Sequence, residues 1–316
     1  MALGGIAQML TTVLGKLDAA ALGHCQPHEH VFVLPTPASE RNPALRIDDE
    51  RRSIQEVRAY RASGGDSLLD AQPTDAGRDL AALARISRAA GVNIIAVTGY
   101  HLPAFYPGNH WIFAEDEAAL RRRFEAELLE GVQTAEGRVF PGAVKAAIGQ
   151  SGPEGRLGAC LRAAAGAAAT AGVALILHTE RGIGAVEAVR ICEAQGLDAR
   201  RVAVCHADRQ ATDFEVHEQI ARTGAFLEYD TIARYKYHDD AQEMRLIAHM
   251  LERGYEAQLL FSLDTTAARM NSYEPTAPGL SFLLRSFLPA LRASGVSDPV
   301  LQRITRENPR RLLASR

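Results

Sequence analysis

"GVALILHTE" (residues 172–180) decides how this chain is read. Five apolar residues, Val173 to Leu177, run without a break and end on His178. A run this short suits a strand better than a helix. The lack of polar alternation suits a strand covered on both faces, as in a parallel sheet flanked by helices. The same form recurs in both directions along the chain. It is seen in "SLLDAQP" (67–73), "VNIIAVTGYH" (92–101), "PGAVKAAIG" (141–149), "RVAVCHAD" (201–208), "GAFLEYD" (224–230) and "AQLLFSLD" (257–264). The opening stretch "HCQPHEHVFV" (24–33) brings the number of runs to eight.

Helical periodicity fills the gaps. It predicts helices within 75–91, 115–132, 156–172, 184–196, 213–224, 240–254 and 280–295, the last with a kink at Pro289. Strict strand–helix alternation specifies a parallel sheet with crossover helices. Eight strands favour an α/β fold of the closed (β/α)8 TIM-barrel type over an open doubly wound sheet. No Gly-rich phosphate fingerprint follows the first strand, which weakens a dinucleotide-binding reading. No linker or composition break appears, so one domain is expected. It spans residues 23–316, led in by an N-terminal extension or hairpin over 1–22.

Composition sets limits. A formal net charge of -3 over 316 residues gives no basic surface for nucleic acid or an anionic membrane. No apolar run reaches the length of a membrane span, and the first residues lack a signal-peptide pattern. Cys25, Cys160, Cys192 and Cys205 are scattered and read as reduced thiols of a cytoplasmic protein. Cys25 is expected on the strand face opposite His28 and His30, and Cys205 to point away from its neighbour His206. The expected partner is a small-molecule substrate, and a homodimer is compatible with the sequence.

The ionisable residues cluster at the ends of the runs: His28, His30, Lys145, His178, His206 and Asp264. In a barrel those ends converge on the one face that carries active sites. Each residue alone has an ordinary structural explanation; six together make a two-metal set. On a strand, His28 and His30 share a face. An ammonium cannot ligate a cation, but a buried, neutral Lys145 can add carbon dioxide and become a carbamate, N6-carboxylysine. The expectation is one divalent ion on His28, His30 and Asp264, a second on His178 and His206, and carboxylated Lys145 between them. Imidazole and carboxylate donors suit Zn²⁺, with Mn²⁺ or Co²⁺ also fitting. A hydroxide bridging the two ions would attack the substrate, with Asp264 as the catalytic proton shuttle. His101, just past the third run, is a candidate hydrogen-bond donor to substrate.

The chain resembles the phosphotriesterase-related family of the amidohydrolase superfamily. The resemblance runs from "TVLGKL" (12–17) to "ENPRRLL" (307–313), through "HEH", "TGYHLPAFYPGNHWIF", "VKAAIG", "LHTE", "CHADR", "EYDTIARYKYHDD" and "LLFSLDTTAARM". It is closest to members that open the lactone ring of phosphorylated or acidic sugars. In those members a Lys after strand seven and an Arg and Tyr after strand eight hold the phosphate. Here Lys236, Arg269 and Tyr273 are the matching candidates. The resemblance therefore implies a binuclear lactonase acting on a sugar-phosphate lactone. The rivals are a phosphotriesterase or neutral-lactone hydrolase using the same hydroxide, and an inactive barrel that only binds ligands.

Overall fold

The structure is a computed structural model that describes residues 8–315. A hairpin of β1 (Met9–Thr12) and β2 (Gly15–Asp18) comes first. Eight strands then form one parallel sheet: β3 (Cys25–Glu29), β4 (Ser67–Asp70), β5 (Asn93–Gly99), β8 (Ala143–Ala147), β9 (Ala174–His178), β10 (Val202–Cys205), β11 (Phe226–Tyr229) and β12 (Leu259–Phe261). A second hairpin, β6 (Val132–Thr134) and β7 (Gly137–Val139), interrupts the crossover from β5 to β8. The eight neighbours follow sequence order, and the sheet curls into the (β/α)8 barrel. Each of the eight stretches contains one strand of the sheet, although in the first the strand is Cys25–Glu29, ahead of the apolar residues Val31–Val33.

The barrel closes at one seam, between β12 and β3, where side chains do much of the stitching. The Glu29 carboxylate accepts from the backbone N–H of Leu263 at 2.8 Å and of Thr265 at 3.1 Å. Ser262 Oγ accepts from the backbone N–H of His28 at 3.0 Å. The barrel interior below the mouth is filled by Leu69, Ile95, Ile176, Phe226 and Leu260. The helix Asn308–Leu313 covers the opposite end, where Leu312 and Leu313 pack with Leu10 and Leu22.

Two local expectations are corrected. Cys25 joins the interior cluster, because the β3–β4 register shifts between Gln26 and Glu29 and breaks simple alternation. Cys205 also lies inside, and the following residue, His206, takes a left-handed backbone with φ 65°. Strand alternation therefore does not extend to His206. All four cysteines are unpaired and buried.

The helix predicted from residue 75 starts at Leu80, where the Asp79 side chain accepts from the Ala82 N–H. The chain turns widely over Leu283–Phe287 just ahead of Pro289, relieving the missing N–H there. A helix absent from the sequence reading, Glu50–Ala62, makes the first crossover. None of the helices among the described residues is long and apolar enough to cross a membrane.

Candidate metal centre and active-site cavity

The C-terminal ends of the strands bring the six expected ligands together. His28 Nε2 lies 3.8 Å and His30 Nε2 3.4 Å from Asp264 Oδ1. His178 Nδ1 and His206 Nε2 lie 2.9 Å apart. Lys145 Nζ sits between these groups, 3.1 Å from His28 Nε2. Asp264 and His206 both adopt positive φ, 48° and 65°, a strained conformation for residues with a Cβ and one that clusters at functional sites. Gly99 makes room for the lysine strand: a Cβ there would stand 2.0 Å from the Lys145 carbonyl oxygen.

The electrostatics suit cation ligation. Burial holds the imidazoles of His28, His178 and His206 below their ordinary range, and therefore neutral, with Lys145 adding to the effect at His28. A neutral imidazole is the ligating form. Burial likewise lowers the Lys145 ammonium, favouring the free amine that carboxylation requires. Burial would raise Asp264, but Arg234, the His30 hydrogen bond and the nearby histidines outweigh it and keep the carboxylate ionised.

The outward ring nitrogens are anchored by carboxylates. Asp230 Oδ1 hydrogen-bonds His206 Nδ1 at 2.6 Å, and its Oδ2 lies 3.1 Å from His28 Nδ1 as a close charge contact. Glu180 Oε1 takes His178 Nε2 at 3.1 Å. Such partners fix the tautomer and aim the opposite nitrogen at a metal. Arg209 continues the arc, with Nη1 3.2 Å from Glu180 Oε2 and Nη2 3.5 Å from Asp264 Oδ2. Arg234 also holds Asp264 Oδ2. The sequence reading missed Asp230, Glu180, Arg209 and Arg234. Each lies within five residues of the last apolar residue of a run, which is the one signal that could have flagged it.

Above the ligands opens a cavity of about 820 Å³. Arg209, Arg234, Lys236, Glu180 and His101 line it, with Leu45, Leu102 and Phe105 giving an apolar side. His101 stacks on Phe105 at 3.8 Å and accepts from the Leu102 N–H through Nδ1 at 2.7 Å. In the neutral ring, Nε2 is then left as the donor.

Arg269 and Tyr273, two of the expected phosphate ligands, bond to backbone groups. Arg269 reaches the cavity wall, but its two terminal nitrogens donate to the backbone carbonyls of Leu263 and Ile232. Tyr273 is absent from the cavity lining; its hydroxyl donates to the Asp49 carbonyl at 2.9 Å. His24 is buried beside Tyr60, with ring centroids 6.0 Å apart, and belongs to the packing.

The pattern of the phosphotriesterase family matches residues 8–313. The chain belongs to that family. Among its relatives is a phospho-furanose lactonase of Mycoplasmopsis synoviae, 26% identical, with 96% of this chain and 91% of the relative aligned. Another is an N-acetyltaurine hydrolase of Danio rerio, 27% identical over 96% and 97% of the two chains. A solved lactonase from Listeria monocytogenes superposes with a TM-score of 0.90 at 25% identity, covering 98% of this chain and 99% of the other. This family member is a metal-dependent hydrolase. The convergence of His178 Nδ1 on His206 Nε2, and of two imidazoles on Asp264 Oδ1, fits divalent cations at its barrel mouth.

Proposed function

We propose that this hydrolase opens the ring of an anionic sugar lactone, most simply a phosphorylated one, using two divalent ions. His28, His30 and Asp264 would hold one ion and His178 and His206 the other, with Lys145, as its carbamate, between them. Zn²⁺ suits these donors, and Mn²⁺ or Co²⁺ is also compatible. When bound, such ions supply the positive charge that acidifies a water and draws electron density from an acyl oxygen.

The remaining chemistry falls to side chains. His101 offers its Nε2–H to a substrate oxygen from beside His178, the two rings being 5.1 Å apart. Asp264 accepts the proton of the attacking water. The water oxygen forms a bond to the carbonyl carbon, the bond from that carbon to the ring oxygen breaks, and the proton goes to the departing alkoxide.

The observation that carries the substrate class is the cationic wall of the cavity. Arg209, Arg234 and Lys236 line it together, two of them touching the Asp264 carboxylate. A planar guanidinium matches a phosphate or carboxylate through paired hydrogen bonds. A neutral phosphotriester would make no use of this positive charge.

Purified protein assayed against a lactone panel, with and without a 5-phosphate, tests the reading. Higher kcat/KM for the phosphorylated members is expected. Hydrolysis of neutral triesters above every lactone would sink it.

A further inference from the structure

Asp208, His238 and Glu243 form a second set of potential ligands, buried behind the barrel mouth. Asp208 sits in the turn after β10. His238 precedes the helix Asp240–Glu252, and Glu243 lies in its first turn. One donor atom from each lies within 4.8 Å of the others, and their exposures are 0%, 6% and 0%.

The hydrogen-bond pattern leaves electron-rich atoms facing one another. His238 Nδ1 is 3.2 Å from the Asp239 carbonyl, so it carries the ring proton. The Nε2 lone pair then faces inward, 3.1 Å from Glu243 Oε2 and 3.1 Å from Thr231 Oγ1. Asp208 uses Oδ2 to accept from the Thr231 N–H at 2.6 Å and leaves Oδ1 unpartnered. Neither Glu243 oxygen has a hydrogen-bond donor. Among the described residues, neither carboxylate forms an ion pair with a Lys or Arg. Two carboxyl groups enclosed in this way can be held as anions only with positive charge between them.

We propose that Asp208, His238 and Glu243 hold a structural divalent cation of the Zn²⁺ or Mn²⁺ class, with the Thr231 hydroxyl within reach as a fourth donor. One neutral imidazole and two carboxylates make the loaded site electrically neutral. Nitrogen and oxygen donors in this ratio are those such ions accept. The cation ties the turn after β10 to the loop after β11 and to the helix that follows. Those two segments deliver Arg209 and Arg234 to the cavity.

The inference is independent of the ions proposed at the mouth, and ion counting tests it as a difference. Wild-type protein and Glu243→Gln are saturated with Mn²⁺, freed of unbound ion by gel filtration, and analysed for metal. Glu243→Gln is expected to hold one ion fewer per chain, whatever the mouth holds. Equal counts overturn the proposal. Should Glu243→Gln fail to fold, the triple variant His28→Ala/His30→Ala/His178→Ala, which keeps all three buried ligands, is expected to retain one Mn²⁺ per chain. Retention of none overturns the proposal equally.

Discussion

Asp230 Oδ1 lies 2.6 Å from Nδ1 of His206, and its other oxygen reaches Nδ1 of His28 at 3.1 Å. One buried carboxylate thus aims a ligand of each proposed ion. Asp230→Asn keeps the size but lets one oxygen become a donor group. It is expected to weaken the binding of both ions by roughly 10–100-fold, the usual effect of losing such a partner. Competition against a chelator measures this directly. Unchanged affinity at both positions would show that the histidines are aimed by packing alone.

Lys145→Ala should lose metal and activity together, because the proposed bridge goes with the side chain. Short carboxylates supplied with metal should restore part of both by filling the space. A variant with wild-type metal content and turnover would refute carboxylation of this lysine.

Asp264→Asn separates binding from proton transfer. It retains one ligand oxygen and loses the base, so kcat should fall by roughly 10²–10⁴. Its metal content should drop less than in Lys145→Ala. Near-normal kcat would remove Asp264 from proton transfer.

Arg234→Met and Arg269→Met should behave differently. Arg234 faces the cavity, whereas Arg269 ties two backbone carbonyls, those of Leu263 and Ile232. Arg234→Met is expected to cut kcat/KM for an anionic lactone by about 2–5 kcal/mol of transition-state binding, and for a neutral one by less, since the neutral substrate loses only the support Arg234 gives to Asp264. Arg269→Met should lower both substrates alike and reduce stability. Lys236→Met should show the Arg234 bias more weakly, since a point charge is less directional. If only Arg269→Met discriminates against the anionic lactone, the anion is held by Arg269 and not by Arg234.

Stability should fall on mild acidification. Burial lowers the imidazoles of His24 and His217 to about 4 in the folded protein. Their unfolded value is about 6.5, so between these limits the unfolded chain takes up protons that the native one refuses. Their contribution is complete above about pH 6.5 and is lost as pH falls toward 4. Two such groups give a slope of at most about 2.7 kcal/mol per pH unit. Urea unfolding at pH 7, 6 and 5 reads the slope, and His24→Gln/His217→Gln should flatten it. An identical slope in that variant would assign the acid sensitivity to other groups.

Seven of the eight barrel strands were legible because fully buried parallel strands are written locally, as short apolar runs; β3 (CQPHE) was legible instead from its histidines and the apolar residues that follow. The residues gathered at the barrel mouth were legible for a related reason: five of the six lie near the end of a run, and Lys145 is a charged residue inside an otherwise apolar strand. The helix Glu50–Ala62 was hidden because its inward face includes Ser53 and Glu56 beside Val57 and Tyr60, which blurs the apolar period. Asp230 was hidden because its meaning depends on His28 and His206, brought near only by the closed barrel. The roles of Arg209, Arg234 and Arg269 depend on how loops fold back over the mouth. Spacing from a strand end does not encode that path.

The seam between β3 and β12 has a mechanical consequence. His28 and His30 stand on one side of it and Asp264 on the other, so a cation gripped by all three would fasten the first and last strands of the barrel. Loading would then rivet the ring shut at the joint with the greatest sequence separation, and chelation would loosen that joint before any other. Amide hydrogen exchange should register this as faster exchange at Leu263 and Thr265, whose N–H groups are held by Glu29, while the ladder between β8 and β9 stays protected.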